Sequence, residues 1–279
     1  MTERMVANNF WINGEPCSDI PANDRGLAYG DGVFETIRVI GRRPTLAEFH
    51  WQRLEDSLNR LGIQADVSLL LDEVKAFLSS RGGSDGVLKV LITRGSGGRG
   101  YNPAGCSESR RILSCHPLPE HPAANRFAGI ALYPCSTRLG HNCLAGMKHL
   151  NRLENVLARA EWSDSGFQEG LMLDMNGLLI EGTMSNLFLV KNGTLYTPAL
   201  DRCGVSGVCR EFILHQASGW GLPVIVDDLG EPVLEEADEV FVCNSVNGVW
   251  PVVRFRHCRW QVGAITAMVR DRVLDVLNG

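Results

Sequence analysis

The sequence predicts an α+β protein of two domains, with helices and strands mixed unevenly. Three observations lead there. Apolar residues recur at strand spacing in some stretches and at helix spacing in others, without the regular alternation of a doubly wound sheet. The stretch HPLPEHPAAN, at 116–125, carries three prolines and no apolar periodicity, which marks a connection. A length of 279 residues with 44% hydrophobic and 21% charged content suits two modest domains better than one very large core. The expected organisation is an N-terminal α/β domain over 1–117, a linker over 118–125 and a C-terminal domain over 126–279.

The elements follow in order. Phe10, Trp11 and Ile12 read as a short strand, and FETIRVI as a longer one that puts Phe34, Thr36 and Arg38 on one face. Leu46, Phe49, Leu54, Leu58 and Leu61 recur at helical spacing, and a second helical pattern covers about 68–80. The strands GVLKVLITR and RRILSC close the first domain. Beyond the prolines come a strand near FAGIALY, a helix beginning near Leu150 and a strand-rich run from Gly170 to Thr197. Helices near 206–218 and 263–277 bracket further short strands.

Composition narrows the function classes. A net charge of −5 gives no basic field for nucleic acid. No apolar run is long enough for a bilayer, and MTERMVANNF lacks the apolar core of a signal peptide, so no membrane partner and a cytoplasmic location are expected. Nine cysteines, odd in number, scattered and without a C-x-x-C pair, read as reduced packing residues, and no metal site is expected.

GSGGRG, following a strand, matches the G-x-G-x-x-G pattern of dinucleotide loops. That fingerprint needs its last glycine to open a helix whose free amides meet the pyrophosphate. Here YNPAGCSESR follows, with no apolar stripe and no room for a crossover helix. Arg94, Arg99 and Tyr101 instead put forked cations and a phenol on a glycine backbone, a composition suited to carboxylates.

Lysine is scarce, which makes each one informative: the chain has Lys75, Lys89, Lys148 and Lys191. Lys75 lies in an amphipathic helical pattern and Lys191 in a KNG turn, both solvated, and Lys89 is expected to point outward from its strand. Lys148 precedes a stripe of Leu150, Leu153, Val156, Leu157 and Ala160, with small and apolar residues before it. Partial desolvation there favours a free amine able to attack a carbonyl; a surface lysine near a helix start is the plainer alternative.

RGLAYGDGVFETIRV, HWQRLEDSL, RGSGGRGY, MKHLNRLEN, EGTMSNLF and GVSGVCR occur in the order found in fold-type IV pyridoxal-phosphate enzymes. The chain resembles the branched-chain and D-amino-acid aminotransferases over nearly its full length. Within that superfamily LKVLITRGSGGRGY and LAGMKHLNRLEN are most similar to the aminodeoxychorismate lyases.

The resemblance implies a two-domain fold of the D-amino-acid aminotransferase type with pyridoxal 5′-phosphate as cofactor. It implies that Lys148 carries the cofactor, that Glu181 pairs with the pyridine nitrogen, and that Arg53, the Val205 amide, Ser206 and Ser245 hold the phosphate. A hydroxyl and free amides at a helix start suit a dianion, although an ordinary N-cap looks the same. The implied reaction eliminates pyruvate from a small dicarboxylate, with Lys148 and Thr36 as candidate catalytic residues; Arg99, Tyr101, Arg38 and Phe34 are candidates for gripping the substrate. Transamination of branched-chain or D-amino acids is the competing reading, because the cofactor-holding residues serve both. By analogy the site lies between the domains and a second copy completes it, making a homodimer.

Overall fold

The protein is described by a computed structural model over residues 9–106 and 108–279. The amino-terminal stretch read above for a signal peptide lies, up to residue 8, outside the described residues. The chain divides into two compact units. The first runs to Pro119 and takes in Lys148–Asn151 and Gly279; the second comprises Glu120–Met147 and Arg152–Asn278.

The first unit is built on a six-stranded antiparallel sheet. Its strands are β1 (Phe10–Ile12), β2 (Glu15–Pro16), β3 (Gly32–Ile40), β4 (Arg43–Pro44), β5 (Gly86–Thr93) and β6 (Arg110–His116), in the order β2-β1-β6-β5-β3-β4. The β1–β2 hairpin turns on Asn13 and Gly14, both at positive φ, as a tight two-residue loop requires. A short helix, α1 (Arg25–Tyr29), is capped by Asp24, whose side chain accepts from the Gly26 amide.

Period-two alternation decides which face of β3 is covered. Val33, Glu35, Ile37 and Val39 are buried, while Phe34, Thr36, Arg38 and Ile40 are only partly so. Helices α2 (Ala47–Leu61) and α3 (Val67–Ser80) supply the cover. Leu54 and Leu58 of α2, with Leu70, Val74 and Phe77 of α3, pack with Val33, Ile37, Leu88, Val90 and Ile92 in one core. Each such side chain contributes roughly 1.5–3 kcal/mol by leaving water.

β4 pairs with β3 only at Val39 and Ile40. The opposite end of that β3 edge is taken by Lys148–Leu150: the Phe34 amide donates to the Lys148 carbonyl (2.9 Å), the Leu150 amide to the Gly32 carbonyl (3.0 Å), and Val33 bridges His149. The distant tetrapeptide Lys148–Asn151 therefore belongs to the first unit through ordinary strand pairing of its first three residues.

The second unit opens with α4 (Ala123–Phe127), a short helix within and just beyond the stretch read as a linker. Its ten-stranded sheet contains β7 (Ile130–Leu139), β8 (Glu169–Asp174), β9 (Leu178–Gly182), β10 (Asn186–Lys191), β11 (Thr194–Pro198), β12 (Val224–Asp227), β13 (Leu229–Gly230), β14 (Glu239–Asn244), β15 (Gly248–Phe255) and β16 (Cys258–Arg259). The path β10-β14-β15-β7-β8-β9 returns to β10 through the pair Asn186 and Glu181, so six strands close into a ring. Ile130, Leu132, Leu171, Leu187, Val240, Val242, Trp250 and Val252 belong to its core.

Helices α5 (Leu153–Arg159), α6 (Val208–Ala217), α7 (Glu231–Glu235) and α8 (Ala264–Asn278) complete this unit. The helix expected near Leu150 starts at Leu153, because Lys148–Leu150 are committed to β3. Its apolar stripe is real but faces outward: Leu153, Val156 and Leu157 are 75%, 60% and 60% exposed. Among the described residues no helix is long and apolar enough to cross a membrane.

Candidate active site

In the first unit, β3 and its tetrapeptide partner fix Lys148. Its Nζ lies 4.5 Å from the centroid of the Phe34 ring, a cation–π distance. Lys89, across from Thr36 on β5, lies on the same face, with its Nζ 5.4 Å from that ring centroid. Lys89 points outward from the core face, as expected, and is half-buried against Phe34. Phe34, Thr36, Arg38 and Lys148 share this partly open surface, and the Lys148 charge also acts on His50, which lies beside Arg53 and Glu35.

Arg53 comes from α2 to the covered side of β3, where it meets Glu35. The carboxylate accepts Arg53 Nε on Oε1 (2.8 Å) and Arg53 Nη2 on Oε2, a two-point pair, and also engages His50 Nδ1 on Oε2 (2.6 Å). Glu35 and His50 are 1% and 0% exposed, while Arg53 keeps 12%. Burial alone pushes the Glu35 carboxyl up, but Arg53 and His50 outweigh it and hold it at about 2. Burial lowers His50 against the pull of Glu35, so the ring is neutral near pH 7, donates from Nδ1, and leaves Nε2 buried without a partner.

The glycine loop is anchored through its backbone at both base and tip, while the side chains at its tip are exposed. Asp31 Oδ2 accepts from Arg25 Nε and Arg94 Nε, each at 2.8 Å. Arg94 also donates to the carbonyls of Leu61 and Gly62, and Arg25 to those of Gly100 and Tyr101. Burial raises Asp31, yet the two guanidiniums hold it below the ordinary carboxylate range. Arg94, read from sequence as a ligand-gripping cation, is thus a clamp that satisfies the C-terminal carbonyls of α2. Arg99 and Tyr101 stand at the tip; Tyr101 is 85% exposed and its ring lies 5.4 Å from that of Tyr29. The described residues between Thr93 and Arg110 hold no helix, so GSGGRG lacks the helix start a dinucleotide needs.

In the second unit Glu181 is buried at the end of β9 and accepts the Val205 amide on Oε2 (2.9 Å). The Val205 hydrogen, expected to meet a phosphate, is directed at this carboxylate instead. Asn186 Nδ2 donates to the Val205 carbonyl (2.9 Å) and lies 3.4 Å from Glu181 Oε2. The Ser206 amide donates to Gly146, two residues before Lys148 in sequence. Gly207 then caps α6 without a side-chain bond, and a Cβ there would fall 1.8 Å from Asn186 Oδ1, so only glycine fits this helix start. Ser245 occupies the β14–β15 turn, where Asn244 Oδ1 accepts the Val246 and Asn247 amides.

Sequence reasoning missed Glu35, His50, Asn186 and Glu169. Glu169 is fully buried and accepts Thr183 N (3.0 Å), Thr183 Oγ1 (2.5 Å) and Ser185 Oγ (2.8 Å), fixing the turn that follows Glu181. Burial raises its carboxyl despite those bonds. The signal available was local: the E and H of FETIRV and HWQR fall on core faces, where an ionisable residue needs a partner.

Comparison with known proteins agrees with this architecture. The model of the amino-transferase class IV family matches residues 32–255. The aminodeoxychorismate lyase of Vibrio harveyi is 39% identical over 246 residues, spanning 87% of this chain and 90% of that protein. The crystal structure of 4-amino-4-deoxychorismate lyase from Pseudomonas aeruginosa matches with a TM-score of 0.94 and 48% identity, covering 97% of this chain and 100% of that one. The branched-chain amino acid aminotransferase of Escherichia coli matches at TM-score 0.84 and 26% identity, over 98% and 95% of the two chains. This chain therefore belongs to the amino-transferase class IV family and has its fold-type IV architecture.

Proposed function

We propose that this chain is a pyridoxal-phosphate-dependent lyase that converts 4-amino-4-deoxychorismate into 4-aminobenzoate and pyruvate, a step toward folate. The observation that carries the reading is the gradient of similarity, 48% identity and TM-score 0.94 to a lyase against 26% and 0.84 to an aminotransferase.

The donor set suits the cofactor. Lys148 offers a half-buried amine beside an aromatic ring, and Glu181 a buried carboxylate for a ring nitrogen. Arg53, the hydroxyls of Ser206 and Ser245, and a helix start with no side-chain cap suit a phosphate dianion. Val205 serves this set by holding Glu181.

Bound pyridoxal phosphate supplies an electron sink conjugated with the substrate nitrogen. With the substrate in place, Lys148 Nζ would stand free beside C4 as the base that takes its proton. The C4–H bond breaks, the C3–O bond to the enolpyruvyl group breaks, and the carbocycle becomes aromatic. Nζ returns a proton to the methylene carbon of the enolpyruvate, which becomes pyruvate. Thr36 lies on the Lys148 face of β3 and assists this proton transfer. The two substrate carboxylates are gripped by Arg99 and Tyr101 with help from Arg38, and Phe34 forms an apolar wall.

The second reading is an aminotransferase, favoured by the cofactor-holding residues common to both activities. The cofactor's form after turnover separates them: the lyase returns pyridoxal phosphate on Lys148, recovered as a borohydride-fixed adduct on the peptide containing that residue. Accumulated pyridoxamine phosphate identifies the aminotransferase.

The outward Leu153, Val156 and Leu157 of α5 support a homodimer, since a soluble chain gains by covering such a stripe. Light scattering is expected to give twice the 30.6 kDa chain mass, and Leu157→Lys to shift the population to single chains. The nine cysteines, all free thiols, accord with a reducing cytoplasm.

A further inference from the structure

Glu35, His50 and Arg53 form a chain of polar groups that runs outward from the β3–α2 interface. His50 is fully buried, Glu35 nearly so, and Arg53 is the member that reaches the surface. Glu35 engages Nε and Nη2 of the guanidinium, which fixes the plane of the fork as well as its place. His50 Nδ1 occupies the same carboxylate at 2.6 Å and keeps it from turning. The α2 backbone is tied as well, since Ser57 Oγ donates to the Arg53 carbonyl at 2.7 Å.

As mere glue this arrangement is a poor choice. A buried ion pair holds a fold no better than apolar residues of the same volume, and one nitrogen of His50 is left buried without a partner. What the cluster does provide is a long, rotamer-rich arginine held in one orientation.

We infer that Glu35 and His50 are positioning residues, which hold the Arg53 guanidinium in the orientation that receives the phosphate of the cofactor. The inference rests on the pyridoxal-phosphate reading and adds to it two residues that do not touch the ligand.

The test compares pyridoxal phosphate with pyridoxal, which lacks the phosphate, as ligands of the full-length apoprotein. Both dissociation constants are read from the absorption change on binding to Lys148, and the ratio between them measures the phosphate grip. Glu35→Gln is expected to shrink that ratio roughly ten- to a hundredfold while leaving the pyridoxal constant unchanged. His50→Leu, which removes the donor to Glu35, is expected to shrink it several-fold; His50→Asn, whose amide stands near the Nδ1 position, is expected to restore it. Melting curves of each apoprotein establish that it is folded.

An unchanged ratio in folded Glu35→Gln overturns the inference, and so does an equal loss for both ligands, which marks a structural role only. Should Glu35→Gln not fold, the two His50 variants decide: identical ratios in Leu and Asn overturn the inference. Failure of the underlying reading looks different, because the unsubstituted protein then forms no lysine adduct or binds both ligands alike, and the inference falls with it.

Discussion

Arg53 and Arg99 belong to the same unit and are both candidate anion grips, yet their settings are opposite. Arg53 is held at two points by a buried carboxylate that a buried histidine holds in turn. Arg99 stands exposed in a glycine loop whose backbone is clamped, at the base by Arg94 and Asp31 and at Gly100 and Tyr101 by Arg25, while its own side chain projects into solvent. A cofactor that stays through many turnovers is served by groups fixed before it arrives; a substrate that must enter and leave is served by groups that are free to move. Stability and cofactor affinity are therefore expected to follow the first region, and substrate affinity the second.

Lys148 stands apart from this contrast and sets its upper bound. Lys148→Ala is expected to lower turnover by about a thousandfold or more with the fold intact by circular dichroism, since the proposed function gives Lys148 both the covalent attachment and the base. Next in size is the interior: Glu35→Ala removes the carboxylate that pairs Arg53 and His50 inside the fold and is expected to cost about 3 kcal/mol, or several degrees in melting temperature. An equal loss in Arg99→Ala breaks the comparison.

Acid sharpens it. Glu35 is held at about 2 against an ordinary 4.5, so its contribution to stability is complete above 4.5 and disappears as pH falls toward 2. Denaturant titrations across that window are expected to show about 3 kcal/mol of acid sensitivity that Glu35→Gln lacks and Arg99→Ala retains. The smallest effect belongs to the loop: Arg99→Ala is expected to raise KM roughly tenfold and Tyr101→Phe less, with kcat and melting temperature little changed. Steady-state kinetics beside a melting curve check both at once.

The contrast was only half legible in the sequence. Period two put Phe34, Thr36 and Arg38 on one face of β3, and the scarcity of lysine drew notice to Lys148. The same period sent Glu35 into the core, but its partners lie on another element, and one-dimensional spacing does not show which helix will cover a strand. Arg94 looked like a ligand grip because arginine beside glycine has that composition; the carbonyls that claim it, at Leu61 and Gly62, come from a distant helix end. The stripe of α5 announced an apolar face without saying that its own chain leaves it uncovered. Ring closure in the second unit turns on one pairing, Asn186 with Glu181, which no local pattern encodes.

The central claim is elimination at the carbons of the substrate, and product stoichiometry tests it most directly. Purified protein loaded with pyridoxal phosphate, given 4-amino-4-deoxychorismate and no keto acid, is expected to release pyruvate and 4-aminobenzoate in equal amounts through many turnovers. Release that stops after one equivalent per site, or 4-aminobenzoate formation that depends on an added keto acid, contradicts the account.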